Sequence, residues 1–127
     1  MTRLSVLLAA PLIALALPTA ALAHPKLLSS TPAAKATVSK TKEIKLTFSE
    51  KLVPQFTGID LTMTSMPGMA NHGPMKVSGF KTSVSPDGKT LIATLPRPLP
   101  AGGYDLKWHA VAADTHRIEG KFSFSVK

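Results

Sequence analysis

Two groups of residues have the types and spacing to do chemistry. The first is the run MTSMPGMANHGPM at positions 63–75, which sets Met63, Met66, Met69 and Met75 around His72. Every methionine of the chain except Met1 falls in it. A thioether is neutral and polarisable, so it suits a soft ion such as Cu(I) better than Zn²⁺ or Mg²⁺. It has no proton to shed before binding, and disulfide formation cannot remove it. A few of these sulfurs, with or without a His72 nitrogen, make a three- or four-coordinate Cu(I) site. The competing account is packing, since methionine fills irregular gaps. It is strongest for Met63, which shares the parity of Ile59 and Leu61.

The second group is scattered along the chain: His24, Asp114 and His116. Arg3, the apolar run LSVLLAAPLIALALP and ALA at 21–23 have the make-up of a secretory leader cleaved after Ala23. Residues 24–127 would then form the mature protein, with His24 offering both its α-amine and its imidazole to one metal. Pro25 lacks a backbone N–H, so the next peptide nitrogen cannot become a ligand. Asp114 and His116 lie two apart, which puts them on one side of an extended segment. Nitrogens from His24 and His116 with an Asp114 carboxylate form a tetragonal N/O set suited to Cu(II). Asp114 has two alternatives, orienting an imidazole or capping a turn. His109 shares parity with Lys107 on the polar face; it reads as an ordinary exposed histidine, or as a secondary ligand if that face adjoins Asp114.

Strands must position these residues. Ile44, Leu46 and Phe48 alternate with polar neighbours, as do Ile59, Leu61 and Met63, then Leu91, Ala93 and Leu95. Tyr104, Leu106, Trp108 and Ala110 form a fourth run, and Ile118, Phe122, Phe124 and Val126 a fifth. Gly120 interrupts the last as a bulge or a point of close approach. Turn chemistry separates the runs at SPDG (85–88), PRPLP (96–100) and AGG (101–103). In the methionine run, Pro67-Gly68 and Gly73-Pro74 rule out a helix despite the three-residue spacing. The pattern predicts an all-β, two-sheet antiparallel sandwich with the methionines on a loop.

Composition narrows the function. The chain has 127 residues and no cysteine, so any metal ligands are His, Met, Asp or Glu. Its formal charge is +8, or +7 once Arg3 leaves with the leader. The lysines are dispersed and there is one Trp and one Tyr, so no basic-aromatic groove for nucleic acid can be read.

The mature start HPKLLSSTPA (24–33), LTFSE (46–50), the Met-rich loop, LPAGG (99–103), WHAV (108–111), DTH (114–116) and GKFSFSVK (120–127) resemble the CopC family, in order and over essentially the whole mature chain. The likeness is to its PcoC type, which keeps a Met-rich loop. It implies a seven-stranded, Greek-key, immunoglobulin-like β-sandwich of cupredoxin-like appearance, working in the periplasm as a copper carrier and not an enzyme. It implies Cu(II) at His24, Asp114 and His116, and Cu(I) among Met63, Met66, Met69, His72 and Met75. The implied partners are an inner-membrane copper transporter of the CopD type and a periplasmic multicopper oxidase, with the protein a monomer or a weak copper-dependent dimer. Two departures stand out: His109 and Arg117 occupy positions where the family often has Arg and Pro. The rival reading is a copper monooxygenase built on an N-terminal histidine.

Overall fold

The computed structural model describes residues 24–69 and 73–127; the leader expected at 1–23 and the expected ligand His72 lie outside them. The described residues form nine strands: β1 (Leu27–Thr31), β2 (Thr37–Val38), β3 (Glu43–Phe48), β4 (Gly58–Ser65), β5 (Met75–Val77), β6 (Lys81–Val84), β7 (Thr90–Thr94), β8 (Gly102–Val111) and β9 (Arg117–Val126). A short 3-10 turn, Pro54–Phe56, precedes β4. The strands make a four-stranded sheet, β1-β3-β7-β6, and a five-stranded sheet, β2-β9-β8-β4-β5. Without the two-residue β2 and the three-residue β5, seven longer strands remain. The wholly antiparallel expectation fails at one point: β2 pairs with β9 in parallel.

Alternation explains which strands face inward. Ile44, Leu46 and Phe48 of β3 meet Ile59, Leu61 and Met63 of β4 in a core that also takes Leu91, Ala93, Tyr104, Leu106 and Phe124. Leu46, Leu61 and Leu106 have no solvent exposure, and burying such a side chain contributes about 2 kcal/mol. Gly120 is a close-approach point and not a bulge, because β8 and β9 stay in register throughout. A Cβ there would lie 2.4 Å from Cζ2 of Trp108, whose indole packs edge-on against Phe48.

This frame sends the two groups of candidate ligands to opposite ends. β8 and β9 pair from Gly102↔Val126 to Val111↔Arg117, and residues 112–116 close the hairpin. β4 runs antiparallel to β8, with Gly58 beside His109 and Ser65 beside Gly103. Asp114 and His116 therefore follow the far end of β8, whereas the methionine loop follows the end of β4 beside Gly103. At about 3.3 Å per residue, the length of β4 holds the two ends on the order of 25 Å apart.

Candidate metal centre

Pro25 and Lys26 tie the segment that carries His24 down next to the Asp114 turn. Pro25 is fully buried. Lys26 donates its N–H to Ser49 Oγ at 2.9 Å, and Ser49 returns its N–H to the Lys26 carbonyl at 2.9 Å. His24 is left just beyond this anchor, with its Nδ1 2.8 Å from Asp114 Oδ2. His116 Nδ1 lies 3.7 Å from the same oxygen. The two imidazoles are tilted by 42° with their centroids 5.0 Å apart. One ligand atom from each of His24, Asp114 and His116 falls within 4.8 Å of the others.

Asp114 uses its two oxygens differently. Oδ1 accepts the N–H of His116 at 3.2 Å, an Asx turn. Oδ2 is buried and receives no hydrogen bond from the described residues; the His24 nitrogen is near it but outside bonding geometry. The side chain is 3% exposed, whereas the imidazoles are 56% and 70% exposed. Leaving such an oxygen unsatisfied costs about 1–3 kcal/mol. A cation held between this oxygen and the two nitrogens removes that cost, so the donor set fits a metal ion.

The two ligands in the turn come together for a reason other than an extended segment. Thr115 has φ 64°, in the left-handed region, and its N–H donates to the Ala112 carbonyl at 2.9 Å. A β-branched residue there is a genuine outlier, and the conformation costs about 1–2 kcal/mol. The tight turn, and not strand parity, folds Asp114 and His116 onto one point. His109 is not in this cluster. Its imidazole stands over Gly58, its partner in β4, at the wall of a groove formed with Val53, Phe56, Val111, Thr115 and Arg117.

At the other end the methionines differ in setting. Met63 is 4% exposed and belongs to the core, so its sulfur is not presented with the others. Met66 and Met69 close a turn in which the Met69 N–H donates to the Met66 carbonyl at 3.1 Å. Pro67 followed by Gly68 at φ 78° gives that turn its type II form. Met66 is half-buried against the core, whereas Met69 and Met75 are 54% and 48% exposed. Met75 pairs with Met63 across β4 and β5, so it rims the same face of the sheet.

Fold and site define a small β-sandwich protein with a nitrogen/oxygen donor cluster at one end and exposed thioethers at the other. Comparison with known proteins sharpens this. The family description "CopC domain" matches residues 27–127. A copper resistance protein C from Xanthomonas campestris pv. juglandis is 52% identical over 107 residues, covering 84% of this chain and 83% of the relative. One from Escherichia coli is 46% identical over 107 residues, covering 84% of each. The crystal structure of the Escherichia coli copper resistance protein PcoC, in selenomethionine form, superposes with a TM-score of 0.75 at 44% identity, over 80% of this chain and 99% of that one. CopC from Methylosinus trichosporium OB3b gives 0.65 at 27% identity, over 82% and 94%. The chain belongs to the CopC family.

Proposed function

We propose that the protein binds copper as cargo in the periplasm and hands it on without catalytic turnover. The observation that carries this reading is Asp114 Oδ2, buried without a hydrogen bond beside two imidazole nitrogens. That N/O set suits Cu(II), and the α-amine of His24 completes it once the leader is removed. Met66, Met69 and Met75 supply soft donors for Cu(I) at the opposite end. Family membership and relatives named for copper resistance favour copper over other divalent ions. An inner-membrane transporter of the CopD type and a periplasmic multicopper oxidase are the proposed exchange partners.

The test is copper titration, in each oxidation state, of protein beginning at His24 and of the same protein extended by Gly-Ser. Extension buries the α-amine in a peptide bond, and Cu(II) affinity should fall at least about tenfold while Cu(I) affinity stays. Equal Cu(II) affinity in the two forms would overturn the His24 chelate.

A further inference from the structure

We infer that Met69 and Met75 are oxidant-modification sites whose conversion to sulfoxides switches off the thioether end while leaving the fold and the N/O end intact. The consequence for copper rests on the Cu(I) reading above; the modification itself does not.

The chain has no cysteine, so no thiol competes for a two-electron oxidant and the thioethers are the reactive sulfur. Burial grades them. Met69 and Met75 are 54% and 48% exposed, Met66 is packed partly against the core, and Met63 is 4% exposed. With hydrogen peroxide, the sulfur lone pair attacks one peroxide oxygen. The O–O bond breaks, an S–O bond forms, sulfur gives up two electrons, and the second oxygen leaves as water after proton transfer. The product is polar and its sulfur has lost the soft, neutral donor character that suits Cu(I).

The burial gradient separates switching from damage. A sulfoxide at Met63 would force a polar group among Leu61, Tyr104 and their neighbours, and would disrupt the core. The exposed pair can take up oxygen without repacking anything. The N/O set contains no sulfur and lies at the other end of β4 and β8, on the order of 25 Å away. An oxidised molecule is therefore folded and restricted to the N/O site, and methionine sulfoxide reductases reverse the change.

The experiment treats metal-free protein beginning at His24 with hydrogen peroxide and maps the added oxygens by peptide mass. Met69 and Met75 should gain oxygen first, Met66 more slowly, and Met63 only after unfolding. Oxidation of Met63 in folded protein as fast as Met69 would overturn the assignment. In parallel, competition with a chromogenic Cu(I) chelator should show at least a tenfold loss of Cu(I) affinity, with Cu(II) affinity and melting temperature unchanged and reductase treatment restoring the loss. Full Cu(I) affinity in doubly oxidised protein would overturn the switch. In Met69→Leu/Met75→Leu, peroxide should leave the residual Cu(I) affinity as it was, and a further drop would count against these two sites. If untreated protein failed to bind Cu(I), the copper reading of the loop and the switch would fall together, while the mass map would still decide the modification.

Discussion

Replacing Asp114 by Asn changes one oxygen of a buried carboxylate into an amide nitrogen. Oδ1 keeps the Asx bond from the His116 N–H, so the turn survives. The new NH₂ takes the place of Oδ2, 2.8 Å from His24 Nδ1 and 3.7 Å from His116 Nδ1. A turn of the exposed His24 ring brings its neutral nitrogen into line to accept from the amide, so an orphaned acceptor becomes a paired donor. Relieving an unsatisfied buried polar atom is worth about 1–3 kcal/mol. Taking the low end, the metal-free protein should melt roughly 4–8 °C higher, the shift expected per kcal/mol for a domain of this size. The same change removes the only anionic donor among the three clustered side chains, and Cu(II) affinity should fall by about 10–100-fold or more. Stability and affinity therefore move in opposite directions, as expected where a site is built at the expense of the fold. Thermal melts of metal-free protein and chelator-competition titrations measure the two effects separately. An Asn variant that melts below the native protein, or binds Cu(II) equally well, would refute the claim that Oδ2 is held in an unsatisfied state for a cation.

Gly120→Ala sets a methyl 2.4 Å from the Trp108 ring, and overpacking of that kind costs about 1–3 kcal/mol; urea unfolding followed by fluorescence of this single tryptophan should show the loss, and an unchanged midpoint would show that the ring can move freely. Thr115→Gly should retain Cu(II) affinity without loss of stability, because the relieved left-handed strain offsets the roughly 0.5–1 kcal/mol that glycine costs. Thr115→Pro locks φ near about −65° and removes the bond to Ala112, so Cu(II) titration should show that site abolished. Burial raises the pKa of Tyr104, whose hydroxyl donates to the Pro100 carbonyl at 2.6 Å. A pKa raised in the folded state means that this stability is fully present below about pH 10, the unfolded value, and is lost as pH rises through the folded value. Urea midpoints should therefore fall more steeply at alkaline pH in the native protein than in Tyr104→Phe.

The strands read correctly from sequence are those with one buried face. Ile44-Lys45-Leu46 or Tyr104-Asp105-Leu106 alternates because one side meets the core. β6, KTSV, sits at a sheet edge with little buried, and β1 carries a register shift and leaves Leu28 64% exposed; neither leaves a period to find. β2 is held by backbone pairing to β9 and has no side-chain signature at all. At the candidate metal centre, residue type is informative but geometry is not. Asp114 and His116 are legible as candidate ligands, yet Thr is among the residues least suited to φ > 0, so nothing in the local sequence announces the turn that joins them. The meeting with His24 depends on contacts across the fold, through Lys26 and Ser49. Met63 was readable both ways, and parity with Leu61 was the better guide.

With His24 proposed as the mature N-terminus, the anchor at Pro25 and Lys26 makes the position of the leader cut decisive. Pro25 is buried and Lys26 is bonded twice to Ser49, so there is slack for one residue only before the sandwich begins. A chain trimmed one residue further presents a prolyl amine and no imidazole. One cut short keeps the imidazole but hides the amine in a peptide bond. Both would fold into the same sandwich, and a stability assay would pass them. On the proposed copper reading, the peptidase would thus set how tightly a folded molecule holds Cu(II) at this end, and misprocessed molecules would be well folded but weak binders.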